Sequence, residues 1–227
     1  MCGRISQTKD LKKFAERLNI PDGKIPKLKP RYNVAPSQEV TVIIQEKEQQ
    51  PTVEQFKWGL VPSWAKDPAI GNRMINARAE TLTTKPSFRG PLRRQRCLVP
   101  ADGFYEWKKE GRSKVPYYIR MKSGEPLGFA GLWSLWIAPN GSELRTFTIV
   151  TTEPNDLMKT IHHRMPVILS EDAESIWLDP KNDDSKGLVS LLIPYPSDKL
   201  EAYPVSTFVN SPANDLPECI APVRSLF

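Results

Sequence analysis

Along most of this chain, apolar residues alternate with polar ones in short stretches, and helical periodicity is confined to brief segments. Residues 2–6 read as a short strand. From 10 to 18 the apolar positions Leu11, Phe14, Ala15 and Leu18 recur at helical spacing, with Thr8 as N-cap. A Pro/Lys-rich loop fills 21–31. A β-branched strand over 40–44 leads through a Gln/Glu/Lys-rich turn at 45–51 to a partner at 53–58. Residues 58–64 then form a strand end and turn carrying two tryptophans, and 76–81 begins a short helix or turn.

Residues 96–100, 103–108, 116–121, 127–135 and 144–151 read as successive strands. Lys109-Glu110-Gly111, Ser123-Gly124 and Asn140-Gly141 are the turn signals that separate them. A helix over 154–161 ends at His162-His163-Arg164-Met165-Pro166. Residues 167–169 are a strand, 171–178 a helix, 181–186 a polar loop and 202–205 a late strand. The order of elements predicts an α+β fold: a single domain over 1–227 with a mostly antiparallel, barrel-like β-sheet core and flanking short helices.

Composition fits a chain of this kind. The 227 residues are 39% hydrophobic and 26% charged, which excludes a largely disordered chain. The 22 prolines are about twice the usual share and favour short elements joined by stiff turns. No window approaches 18 uninterrupted apolar residues, so no membrane span is expected. No apolar stretch follows Met1-Cys2-Gly3-Arg4, so no secretory leader is expected and a cytoplasmic location is.

Charge adds asymmetry. Residues 1–100 carry 19 basic and 9 acidic side chains, whereas 101–227 carry 13 and 17. Arg73, Arg78, Lys85, Arg89, Arg93, Arg94 and Arg96 fall in one stretch against Glu80 alone. Such a run suits a nucleic-acid backbone or forms an ordinary solvated face. The three cysteines, Cys2, Cys97 and Cys219, lie far apart without a CxxC, and the two histidines are adjacent. No metal site and no cofactor are expected from them.

Cys2 is the residue that calls for chemistry. Once Met1 is removed, a free α-amine and a thiol stand on adjacent carbons, with ordinary pKa values of about 7.7–8.0 and about 8.5. The amine attacks an aldehyde to give an imine, and the thiol closes on the same carbon to form a thiazolidine. Alternatively, the thiol attacks an acyl group with the amine as its base. A chance cysteine at a chain end is the plain alternative. Three further polar residues lie beside aromatic, Pro or apolar neighbours. Glu106 in Phe104-Tyr105-Glu106-Trp107 is either a buried general acid or base or an edge-strand carboxylate facing water. His162 is a proton donor or a helix-capping residue, and Asn76 fixes a carbonyl or amine or caps a turn.

Six segments in order carry a resemblance. They are Met1-Cys2-Gly3-Arg4, Arg31-Tyr32-Asn33-Val34-Ala35-Pro36, Trp58-Gly59-Leu60-Val61-Pro62, Ile75-Asn76-Ala77-Arg78-Ala79-Glu80-Thr81, Gly103-Phe104-Tyr105-Glu106-Trp107 and Ile161-His162-His163-Arg164-Met165-Pro166. Together with Tyr203-Pro204-Val205-Ser206, they make nearly the whole chain similar to the SOS-response-associated peptidase family of abasic-site processing proteins. The resemblance implies a positively charged groove for single-stranded DNA containing abasic sites, whose ring-opened aldehyde is captured covalently by the processed Cys2. It also implies associated lyase and thiol autopeptidase chemistry.

Carried over by position, Cys2, Asn76, Glu106 and His162 are the expected catalytic residues. Arg4 and Arg78 are expected to clamp phosphates, with Lys85, Arg89 and Arg164 as further DNA contacts. Asn33, Pro36, Trp58 and Trp64 are expected to line the groove, the indoles offering faces to unpaired bases. The stretch 83–87 departs from the family pattern, so the choice between Lys85 and Arg89 stays open there. A monomer is expected. An N-terminal-nucleophile hydrolase acting on an amide, and a noncatalytic single-strand binding module, are the competing readings.

Overall fold

The computed structural model describes residues 2–223, at Asp22 the backbone only. Twelve strands and five α-helices follow one another as β1 (Ile5–Gln7), α1 (Lys12–Leu18), β2 (Arg31–Val34), β3 (Glu39–Ile44), β4 (Thr52–Trp58), β5 (Asn76–Arg78), α2 (Pro86–Arg94), β6 (Arg96–Ala101), β7 (Gly103–Glu110), β8 (Ser113–Met121), β9 (Leu127–Ile137), β10 (Glu143–Thr152), α3 (Asp156–Lys159), β11 (Met165–Pro166), α4 (Glu171–Leu178), α5 (Ser185–Ser190) and β12 (Leu200–Pro204). The fold is α+β, as the sequence predicts.

Five strands close on themselves. β4, β3, β6, β9 and β10 pair antiparallel in that order, and β10 returns parallel to β4 through Thr146↔Lys57 and Phe147↔Trp58. Closure removes the exposed edges that an open sheet would leave. The side-chain period of two divides each strand between an inner and an outer layer. Val40, Val42 and Ile44 of β3 join Val99, Phe129, Trp133 and Phe147 in one cluster, whereas Ile43 and Leu98 join the outer one. Phe14, Phe88, Trp177 and Leu188 seal that outer layer from α1, α2, α4 and α5.

A second sheet runs β12-β8-β7-β1-β2 and shares the inner cluster through Ile5, Phe104, Ile119 and Leu200. Between the barrel and Trp64, the backbones of Gly59 and Gly71 touch. A Cβ on Gly71 would stand 2.6 Å from the Gly59 carbonyl oxygen, and Gly59 itself has φ +129°. Only glycine tolerates either condition.

Several local expectations are corrected. Thr8 is not a cap: its hydroxyl donates to Asp102 at 2.7 Å, and α1 starts at Lys12 without a side-chain cap. The expected helix over 154–161 shrinks to α3, whose first turn is fixed by Asn155 accepting from the Met158 N–H at 2.9 Å. Residues 76–78 are a strand beside β10, followed by a 3-10 turn at Ala79–Thr81. Residues 165–166 pair with β10, while Ile168 makes only an isolated bridge to Phe129. The 181–186 loop gives way to α5 at Ser185, where Asp184 accepts from the Lys186 N–H. Among the described residues, no helix is long and apolar enough to cross a membrane.

Candidate active site

Strand β1 lies between β2 and β7, which leads Cys2 into the inner cluster, to which Met158, Ile161 and Met165 also belong. Its side chain is wholly buried. Burial raises the thiol pKa, and the Glu106 charge adds to the rise, so the sulfur is held in its protonated form. All three cysteines are free thiols.

Glu106 follows Phe104 by two positions on β7, so the pair shares a strand face and both are buried. This settles the choice left open by the sequence: the carboxyl is 3% exposed, not at a wet edge. A carboxylate in such surroundings is costly, and burial moves Glu106 above the usual carboxylate range.

His162 leaves α3 with its N–H on the Met158 carbonyl at 2.7 Å. Its Nδ1 stands 3.9 Å from Glu106 Oε1 and 3.1 Å from both the N–H and the carbonyl oxygen of Arg164. One neutral tautomer accepts from that N–H; a proton on Nδ1 is donated to the carbonyl instead. Burial lowers the His162 pKa. The His163 ring stacks on it at 4.3 Å.

Glu106 and His162 form part of the wall of a cleft of about 850 Å³. Trp107, Ile161 and Pro154 supply its apolar surface, Asn210 closes one side, and Lys109, Lys114, Lys159 and His163 supply basic groups. These lysines, Trp107 and Asn210 are absent from the sequence expectations. The only signal was a run of lysines around a hairpin turn, which reads equally as an ordinary polar turn.

Asn76 lies on β5 in register with Ile149, a member of the cluster that holds Cys2. Its Nδ2 donates to the Ile75 carbonyl at 2.9 Å, and its buried Oδ1 accepts from nothing among the described residues. That oxygen is a ready acceptor for an incoming N–H or O–H. Arg78 is exposed two residues on.

Four side chains expected at DNA are instead internal or engaged. Arg4 is buried; its Nη1 donates to Asn33 Oδ1 and to the Val209 carbonyl, both at 2.6 Å. Asn33 is wholly buried and its Nδ2 donates to the carbonyls of Val209, Ser211 and Asn214. The two therefore strap residues 209–214 onto β1 and β2. Trp58 is 1% exposed, stacks on Phe147 at 6.0 Å and donates from Nε1 to the Ile75 carbonyl, so it presents no face to a base. Arg164 grips Glu80 with both arms, at 2.5 and 2.9 Å, and donates to the Thr151 carbonyl at 2.7 Å.

The remaining groove candidates are at the surface. Trp64 is 59% exposed and lines a second cleft with Ile70 and Arg73, and Pro36 is half-buried. Lys85 and Arg89 are exposed at the start of α2 and on it, and neither lines the cleft that holds Glu106. Arg96 is withdrawn from the basic patch. It is 3% exposed, donates to the carbonyls of Trp177, Leu92, Asp179 and Asn182, and burial pulls its pKa down to about 10.

A family model described as SOS response associated peptidase (SRAP) matches residues 1–212. The abasic site processing protein YoqW of Bacillus subtilis is 50% identical, covering 97% of this chain and 99% of its own. The abasic site processing protein HMCES of Gallus gallus is 36% identical over 86% of this chain and 67% of its own. A crystal structure of a protein from Bacteroides thetaiotaomicron superposes with a TM-score of 0.82 at 32% identity, over 98% of this chain and all of the other.

Proposed function

The chain belongs to the SOS response associated peptidase family, and on that premise we propose that it processes abasic sites in single-stranded DNA by covalent capture at Cys2. Removal of Met1, by the chain itself or by an aminopeptidase, frees the Cys2 amine. That amine adds to the C1′ aldehyde of the ring-opened sugar, and loss of water leaves an imine. The thiol then adds across the C=N bond, its proton passing to nitrogen, and a thiazolidine results. The net change is the loss of one water, with no oxidant or reductant.

The observation that carries this reading is the placement of Glu106 and His162, 3.9 Å apart, in the cleft wall, with the Glu106 charge acting on the buried Cys2 thiol. A thiol kept protonated is a poor first nucleophile, which favours attack by the amine before ring closure. A carboxyl held above its usual range donates a proton to the departing hydroxyl and takes one back. The same imine is the intermediate from which β-elimination at the sugar proceeds, so lyase activity belongs to the same site. Arg78 at the surface and Trp64 in its own cleft fit contacts to flanking phosphate and base.

A denaturing gel tests this with single-stranded DNA carrying one abasic site. Wild type, its Met1 removal verified by mass, should give a band that survives denaturation, and Cys2→Ala should give none. A cross-link that persists in Cys2→Ala would overturn the mechanism.

A further inference from the structure

The β7–β8 hairpin places two lysines face to face. Lys109 and Lys114 are in register across the hairpin, and both line the cleft that holds Glu106 and His162. Like charges directly opposite on a sheet repel. Among the described residues neither lysine has an ion pair, although Lys108 next to them reaches Glu110 at 3.5 Å. A third lysine, Lys159 at the end of α3, lines the same cleft, with its Nζ on Asp156 at 2.8 Å. A cross-strand repulsion retained at the mouth of a cleft is relieved by an anion bound between the two ammonium groups.

We propose that Lys109 and Lys114, with Lys159 beside them, form a phosphate-binding subsite for the DNA backbone next to the abasic sugar. The proposal rests on the abasic-site reading of the cleft. Lys109 is three strand residues, about 10 Å, from Glu106 and on the alternate face of β7. Both lysines nonetheless line the cleft that holds Glu106, so they meet the backbone where phosphates flanking a sugar at Glu106 would run. Trp107 and Ile161 lie in the same wall and offer apolar surface to the sugar and base between. Ammonium groups on flexible stems hold a phosphate as point charges without fixing its orientation. That suits a strand which must shift as the sugar ring opens. These residues position the strand and take no part in bond making.

The test is noncovalent binding of a labelled single strand containing a tetrahydrofuran abasic analogue, which has no aldehyde. The dissociation constant is measured against salt for wild type and Lys109→Ala/Lys114→Ala. Lys109→Arg/Lys114→Arg is the rescue, and Lys12→Ala/Lys13→Ala on α1 is the charge-matched control. Losing two phosphate contacts should reduce the slope of log affinity on log salt by about 1.4, since each is worth about 0.7 for single strands. The arginine pair should restore the slope, and the control should keep it.

A slope unchanged in the alanine pair, or lowered equally in the control, would overturn the proposal. So would wild type that does not bind the strand. The gel with a true abasic site separates the two ideas. If wild type cross-links there while the alanine pair keeps its slope, covalent capture stands and the lysine subsite falls.

Discussion

Glu106 Oε1 and His162 Nδ1 stand 3.9 Å apart, and burial moves the carboxyl up and the imidazole down. Burial disfavours the charged form of each. An acid and a base within reach of one another are the groups that imine formation and its reversal draw on.

A pH profile reports on that arrangement. Because the Glu106 pKa is raised, its acid form persists above the ordinary carboxyl value of about 4.3 and is lost as pH rises through the folded value. Single-turnover cross-linking should therefore slow on the alkaline side of that value. In Glu106→Gln that alkaline fall should disappear and the rate should drop by about 10²-fold. A Glu106→Gln profile that parallels wild type would remove the carboxyl from the proton transfers.

The two tryptophans of 58–64 should behave as different residues. Trp58→Ala empties a buried site between Phe147 and the Ile75 carbonyl and should cost about 3–5 kcal/mol in urea unfolding. Trp64→Ala should leave stability within about 0.5 kcal/mol, while lowering single-strand affinity by about 1–3 kcal/mol if a base stacks there. Equal losses of stability would contradict the burial difference.

Asn33→Ala should destabilise without touching DNA binding. Its amide donates to three carbonyls of the 209–214 strap and accepts from Arg4, so alanine leaves several buried groups unpaired, about 2–4 kcal/mol together. Chemical denaturation gives the loss, and the salt dependence of binding should match wild type below the unfolding transition. A reduced salt slope would return Asn33 to the DNA surface.

Glu174 should make stability depend on pH. Burial raises its pKa to about 8, although Arg17 Nη2 at 3.1 Å pulls the other way. The folded carboxyl therefore keeps a proton that the unfolded chain releases above about 4.3. Its contribution favours the folded state at low pH and declines as pH climbs through about 8. Urea midpoints at about pH 6 and pH 8.5 should converge in Glu174→Gln relative to wild type. An unchanged difference between those midpoints would place the titration elsewhere.

Local pattern made much of the fold legible. The strands at 40–44, 53–58 and 127–135 stand out by β-branched and alternating residues, Asn140-Gly141 marks a hairpin, and the helix at 171–178 appears residue for residue. The parallel return of β10 to β4 was not legible, because nothing local encodes a pairing between segments some ninety residues apart. Nor was burial: Trp58, Arg4, Asn33 and Arg96 carry groups that serve a DNA surface or an interior equally well. For Glu106 the sequence left two environments open, and the packing of β7 selected one. The cleft lysines stayed hidden because a hairpin turn is where solvated lysines are ordinary.

The bond from Arg4 to the Val209 carbonyl spans 205 positions of sequence. During synthesis the N-terminal end of a chain emerges first, so Cys2 leaves the ribosome long before the segment that fastens its strand has been made. Until residues 207–215 arrive, the wall containing Asn210 is missing and Arg4 has no carbonyl to hold. The strand that carries Cys2 is thus made unfastened, and its surroundings are completed only once residues 207–215 have been added.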